Sequence, residues 1–389
     1  MSQTLIRSLQ QRLEKLESSG KRRFPRQVES LPHGRCIIDG KEIINFGSND
    51  YLSLAHDSRV CTAFAEAASW QSGSASSSLI VGRSSLHVEL EERLAEFEEC
   101  EAALLFPTGF AANCGTIQAL VRPQDAIFSE RDNHASLIDG IRGTKALVSI
   151  YDRGDLRSLI DRIEEKRGSY EQGFLITDGV FSMDGTVAPL QELCDIAHRF
   201  QLEVLVDEAH GTGVLGEHGR GASEFSGVHS RPFVHIGTLS KALGCLGGFV
   251  TGSQETIEWL RNQARPQFFS TALPPAVCAA ALQSLLIVKS EPERRHKLQQ
   301  HNQLARTHAK SLGLTVYGDG RAPVVAVRAP ESRNIVTMSQ QLQNEGWFVP
   351  AILPPTVPLG TNRFRMSLTV DHDPKDIVAL LNRIAELSE

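Results

Sequence analysis

An α/β fold, with a mostly parallel sheet covered by helices on both faces, follows from three features of this sequence. Short apolar runs at 102–106, 126–129, 147–151, 174–177, 203–206 and 233–237 have the length of buried strands. Helical patterns, 155–166 and 190–200 among them, alternate with these runs, and that order implies parallel strands joined by crossover helices. With 389 residues, 41% of them hydrophobic, the chain can bury a large core but is too long for one compact domain.

Three regions follow in order. Residues 1–48 read as an N-terminal arm, in which Leu5, Leu9, Leu13 and Leu16 recur at helical spacing before the basic turn Lys21-Arg22-Arg23-Phe24-Pro25. Residues 49–288 carry the strand and helix alternation and form the large domain. Residues 289–389 read as a smaller α+β domain. It opens with a long polar helix, continues through a strand at 324–327, a helix near 335–345 and strands near 348 and 363–369, and ends in a helix from Pro374. No internal repeat or low-complexity tract interrupts this order.

Composition excludes several classes. A net charge of −6, with no basic block beyond 21–23, argues against a nucleic-acid partner. The seven cysteines are scattered, odd in number and free of C-x-x-C spacing, which points to reduced thiols rather than a disulfide framework or zinc site. No metal is expected. No apolar run approaches about 18 residues and the N-terminus is polar, so the reading is a soluble cytoplasmic protein with no membrane partner.

The densest chemistry lies in two segments. Lys241 falls in Gly237-Thr238-Leu239-Ser240-Lys241-Ala242-Leu243-Gly244, after a strand that ends in Asp207-Glu208-Ala209-His210. A lysine that is partly desolvated can be neutral near pH 7 and condense with a carbonyl, and the hydroxyls of Thr238 and Ser240 just before it can hold a phosphate. Asp207 follows the apolar run Val204-Leu205-Val206, which puts its carboxylate at the C-terminal end of a buried strand, where open α/β sheets bind ligands. A carboxylate there can keep a pyridine nitrogen protonated. Together these segments outline a pyridoxal phosphate site.

Further positions fit that outline. Pro107-Thr108-Gly109-Phe110-Ala111-Ala112-Asn113 runs from a strand into a helix, whose free amides at Gly109 and Phe110 suit an anion. His134 and Ser182 each lie just beyond a strand end, the histidine where a flat imidazole can stack on an aromatic ring. Near the C-terminus, Arg363 and Arg365 alternate with Phe364, Met366 and Leu368. Strand geometry places both arginines on one face, where a guanidinium can clamp a carboxylate through two parallel hydrogen bonds.

The segments Asn45-Phe46-Gly47-Ser48-Asn49-Asp50-Tyr51-Leu52, Gly109 to Asn113, Val180-Phe181-Ser182-Met183-Asp184-Gly185, Asp207 to Gly213, Thr238 to Lys241 and Pro354-Pro355-Thr356-Val357-Pro358 resemble the α-oxoamine synthases among the fold-type I pyridoxal phosphate enzymes. The resemblance covers nearly the whole chain. It implies a seven-stranded sheet, a homodimer with shared active sites, and condensation of L-alanine with a pimeloyl thioester of coenzyme A or a carrier protein. Lys241 would carry the cofactor and act as acid and base, Asp207 would face the pyridine nitrogen, His134 would stack on the ring and His210 would bond its phenolic oxygen. Gly109, Phe110, Ser182 and Thr238 would line the cofactor, and Ser270 and Thr271 would reach the partner subunit's phosphate. Asn49 and Arg365 would receive the amino-acid carboxylate, while Lys21, Arg22 and Thr356 would meet the acyl substrate. The chain departs from the family's usual pattern at Leu353 and Lys21, where arginine is common, and at Asp178, where glutamate is. Glycine-using synthases of the same family, a plain aminotransferase on the same fold and a non-catalytic partner subunit stay open as alternatives.

Overall fold

The computed structural model describes residues 3–18, 22 and 24–389. Helix α1 (Gln3–Ser18) opens the chain and is followed by three short strands, β1 (Val28–Leu31), β2 (Arg35–Ile38) and β3 (Lys41–Asn45). Next come α2 (Ser58–Ala68), a single π-helical turn at Ser78–Gly82, and α3 (Ser85–Phe97). A regular alternation then sets in: β4 (Ala102–Phe106), α4 (Gly109–Leu120), β5 (Ala126–Glu130), α5 (Ala135–Arg142), β6 (Leu147–Tyr151), α6 (Leu156–Lys166), β7 (Gly173–Asp178), α7 (Leu190–Phe200) and β8 (Leu202–Asp207). Short helix α8 (Ala222–Phe225), strands β9 (Val234–Thr238) and β10 (Gly248–Gly252), and helices α9 (Gln254–Gln263), α10 (Arg265–Phe268) and α11 (Pro275–Ser290) complete this part. The remainder is α12 (Pro292–Ser311), β11 (Val316–Tyr317), β12 (Val324–Arg328), α13 (Ile335–Asn344), β13 (Trp347–Phe348), β14 (Ala351–Ile352), β15 (Arg363–Ser367) and α14 (Pro374–Ser388).

The central sheet has seven strands in the order β4-β10-β9-β8-β7-β5-β6. All neighbours run parallel except at β10, which is antiparallel to both β4 and β9. Both faces are covered. Leu175, Val204 and Val206 join the core on one side, and Phe174, Ile176 and Leu205 join a separate core on the other, as period-two side chains of a doubly covered sheet must. Five strands therefore deliver their C-terminal ends or following turns to one edge, and this positions the site.

Two small sheets lie outside the central one. β1, β2 and β3 form a meander that continues in parallel to β13, so residues 28–45 hydrogen bond to the C-terminal part of the chain. The other sheet runs β11-β12-β15-β14 and carries both arginines of β15. α12 and α14 pack over it through Leu298, Ala305, Leu380 and Ile384, all buried. Among the described residues no helix is long and apolar enough to cross a membrane.

Candidate active site

The turn after β4 builds an anion cradle. Thr108 caps α4, its side chain accepting from the Ala111 amide, which leaves the Gly109 and Phe110 amides as first-turn donors without a bond among the described residues. Opposite them the Thr238 and Ser240 hydroxyls lie 2.7 Å apart. A Cβ added at Gly109 would stand 3.1 Å from the Thr238 side chain, so any larger residue would push the helix end and those hydroxyls apart by a few tenths of an ångström. Backbone amides, helix dipole and two hydroxyls converge on a space suited to a phosphate group.

Asp207, at the end of β8, is buried. One carboxylate oxygen accepts from the Ala209 amide at 2.8 Å and the other from Asn113 Nδ2 at 2.6 Å. Asn113 also donates to Ser136 Oγ at 2.8 Å, and Ser136 Oγ lies 2.7 Å from His134 Nδ1. The Ser136 amide donates to the same Nδ1, which makes that nitrogen an acceptor and places the imidazole proton on Nε2. The His134 backbone is fixed separately, its amide donating to Asp178 Oδ2 at 2.7 Å. Burial, reinforced by the nearby Asp207 charge, pushes the Asp178 carboxyl well above the usual carboxylate range.

Lys241 stands in this field. Desolvation lowers its ammonium pKa, with Arg365 acting in the same direction and the charges of Asp207 and Asp178 opposing. The neutral amine becomes more available than on a solvated lysine. Across the site, His210 Nδ1 lies 2.7 Å from the Tyr51 hydroxyl. Burial holds His210 well below the usual histidine range, so the ring is neutral at pH 7 and shares a single proton with the Tyr51 hydroxyl, which also reaches Asn49 Oδ1 at 3.3 Å.

The two arginines of β15 are both buried rather than displayed on an open strand face, but they differ in company. Arg363 lies 3.6 Å from an Asp184 carboxylate oxygen, with its guanidinium 4.1 Å from the Tyr317 ring centroid. Arg365 has no carboxylate partner among the described residues. It donates to the Ser182 carbonyl at 2.6 Å and to Ser367 Oγ at 2.8 Å, and reaches Asn49 Oδ1 at 3.3 Å. A buried guanidinium with neutral partners only is a ready carboxylate receptor.

Other predicted positions lie apart from this cluster. Arg22 and Thr356 line an open cavity of about 810 Å³ with Leu13, Leu16, Phe24 and Leu353. Lys21 lies outside the described residues. Ser270 and Thr271 sit at the surface, Thr271 bridging to Ser77 beside the exposed side chains of Leu79, Ile80, Val81 and Phe269. Sequence reasoning gave no role to Tyr51, Asn113 or Ser136, which connect the cluster. Each stood within or next to a quoted motif, but their partners lie far away in the chain.

Pyridoxal phosphate fits these residues: a depressed lysine, a buried carboxylate, a flat imidazole and a phosphate cradle converge, and Asn113 Oδ1 is buried without a partner at their centre. Comparison with known proteins points the same way. The family profile Aminotransferase class I and II matches residues 41–384. 8-Amino-7-oxononanoate synthase 2 of Bacillus subtilis is 42% identical over 375 residues, covering 96% of this chain and 95% of that protein. A solved serine palmitoyltransferase structure with pyridoxal phosphate superposes with a TM-score of 0.92 at 29% identity, covering 100% of this chain and 98% of that one. The 8-amino-7-oxononanoate synthase of Francisella tularensis gives 0.77 at 27% identity, covering 88% and 97%. With a profile match over most of its length and a relative this similar from end to end, the chain belongs to the class I and II aminotransferase family and, within it, groups with the 8-amino-7-oxononanoate synthases.

Proposed function

We propose that this chain condenses L-alanine with a pimeloyl thioester, releasing carbon dioxide and a thiol and forming 8-amino-7-oxononanoate, a step of biotin biosynthesis. The observation that carries the reading is Arg365: a buried cation without a carboxylate partner, within electrostatic range of Lys241, in a chain that groups with synthases of that name. When bound, pyridoxal phosphate supplies a carbonyl for amine condensation and a protonated pyridine ring that withdraws electrons from the substrate Cα.

The chain's own residues do the rest. Gly109, Phe110, Thr238 and Ser240 would hold the phosphate, and Ser182, whose carbonyl accepts from Arg365, would line the cofactor on the arginine side. Asp207, oriented by the Ala209 amide and Asn113, would face the pyridine nitrogen and hold its proton. His134 walls one ring face, its plane fixed by Ser136 and its backbone by Asp178. His210, held by Tyr51, would meet the phenolic oxygen. Arg365 and Asn49 would bind the alanine carboxylate and so orient the substrate Cα for reaction. Lys241, held partly neutral, takes the Cα proton and later returns one. The new carbon–carbon bond joins the alanine Cα to the thioester carbonyl carbon, the sulfur leaves as thiol, and the carboxylate leaves Cα as carbon dioxide. Thr356 and Arg22 would face the acyl chain.

The chain works as a homodimer with shared sites, in which Ser270 and Thr271 reach the partner subunit's phosphate. The exposed apolar patch of Leu79, Ile80, Val81 and Phe269 around them supports this. Its cysteines are all free, which suits the cytoplasm. The test is incubation of holoenzyme with L-alanine and pimeloyl-CoA, following thiol and carbon dioxide together. Equal release of both is expected. Faster turnover with glycine, or with serine and palmitoyl-CoA, would reassign the substrates, and transamination without thiol release would remove the synthase reading.

A further inference from the structure

We infer that the chain carries a second ligand site, for a compact phosphate-bearing anion, in the cavity between α12 and the loop that follows β8. This cavity, about 720 Å³, shares no residue with the cluster around Lys241. Its charged lining consists of Arg295, Arg306, Lys310 and Arg321 against Glu217 and Glu224. That local excess of cations stands in a chain of net charge −6.

The two inner guanidiniums are hydrogen bonded but not neutralised. Arg295 is buried and donates to the carbonyls of Val288 at 2.6 Å and Glu217 at 2.8 Å. Arg306, half-buried, donates to the carbonyls of Tyr317 at 2.9 Å and Val324 at 3.0 Å and to Asn302 Oδ1. Neither forms an ion pair among the described residues, although Glu224 and Glu293 lie within electrostatic range of Arg295, and Asp319 and Asp184 within that of Arg306. Buried charges are ordinarily paired, and these two lack only an anion.

The surrounding backbone is shaped to hold them at the cavity wall. Gly219, at φ +85°, lies against Arg295, and Gly318 and Gly320, at φ +82° and +87°, lie against Arg306. Side chains at these turns would be strained and would meet the guanidinium groups. At the rim, Lys310 and Arg321 also lack ion pairs among the described residues, Arg321 lying 5.4 Å from the Phe225 ring centroid. Of the two carboxylates, Glu224 is already engaged, accepting from the His218 and Arg220 amides and from the His218 ring. Two fixed inner cations and two exposed outer ones form a receptor for a diphosphate-sized group, in a volume typical of small-molecule sites.

The test is calorimetric titration of the holoenzyme, whose phosphate cradle at Gly109 is filled, with inorganic pyrophosphate at fixed ionic strength. Saturable binding of one pyrophosphate per chain is expected. The double variant Lys310→Glu/Arg321→Glu alters only exposed rim residues and should weaken it at least about tenfold, while its melting temperature without pyrophosphate stays that of the wild type. Arg142→Glu/Arg157→Glu, with the same change of net charge at a distance, should bind as the wild type does. No saturable binding to the wild type, or equal weakening in both double variants, would overturn the inference.

Discussion

The cofactor cluster and the acyl-side cavity are built by opposite means. Around Lys241, side chains from five strand ends converge, and buried hydrogen bonds run unbroken from Asp207 through Asn113 and Ser136 to His134. Around Thr356 the wall is one short strand, β14, a proline turn and the apolar side of α1. Its described cation, Arg22, lies 2.5 Å from Glu17 with both side chains partly exposed. The first region dictates its ligand through charge and geometry that water cannot replace. The second constrains its ligand mainly by shape, so chemistry is set more tightly than acyl choice.

The sharpest way to break this contrast is to remove the lysine. Lys241→Ala should abolish turnover and the borohydride-reducible link between chain and cofactor, read by mass spectrometry, with the fold intact by circular dichroism. A surviving link would move the attachment elsewhere. Next in size is Asp207→Asn, which keeps the shape but removes the charge facing the pyridine nitrogen. Exchange of the alanine Cα proton, followed by NMR in deuterium oxide, should slow by a factor of about 100.

Arg365→Lys separates the two regions directly. An ammonium cannot reproduce the planar fork, so alanine affinity should fall by about 1.5–3 kcal/mol while the acyl thioester KM changes little. Arg363→Lys should instead lower stability, because Arg363 already serves Asp184 and Tyr317. If the alanine effect appears at Arg363 alone, the clamp has been misassigned.

The cluster's edge should also leave a mark on stability. Glu130 is 1% exposed, Oε1 has no partner, and burial pushes its carboxyl up from 4.5 to about 8. A raised acid binds its proton more tightly in the fold, so its contribution is complete below about pH 4.5 and is lost as pH rises through about 8. Glu130→Gln should therefore flatten this decline and exceed the wild type by about 1–2 kcal/mol at pH 8 in urea melts, with little difference at pH 4.5.

Legibility in the sequence followed the same division. Six strands of the central sheet stood out because runs such as Val204-Leu205-Val206 are buried on both faces, but β10 offers only Phe249, Val250 and Thr251 between glycines, too short a run to show a pattern. The strands at 28–45 were absorbed into an arm because few of their side chains are buried, chiefly Cys36, Ile38 and Ile43. Lys241, Asp207 and His210 were visible through local motifs. Asn113 and Tyr51 were not assigned, since their contacts to Asp207 and His210 span 94 and 159 positions and no local spacing encodes them.

The smallest effect tests the least legible region. Leu353 packs partly against the core while lining the acyl-side cavity. Leu353→Arg would add a cation beside Thr356 without touching the cluster. A partly exposed ion pair contributes at most about 1 kcal/mol, so preference for a pimeloyl thioester over a heptanoyl one should rise only about three- to fivefold. The alanine KM should stay constant, because Arg365, the proposed carboxylate clamp, is held by a different set of partners, Ser182, Ser367 and Asn49. An alanine KM that moves in step with the acyl preference would show that β14, hydrogen bonded to β15 through Ala351 and Ile352, transmits the change, and that the two regions are one. An unchanged preference with normal alanine binding would mean instead that the acyl terminus lies beyond Leu353, nearer Arg22.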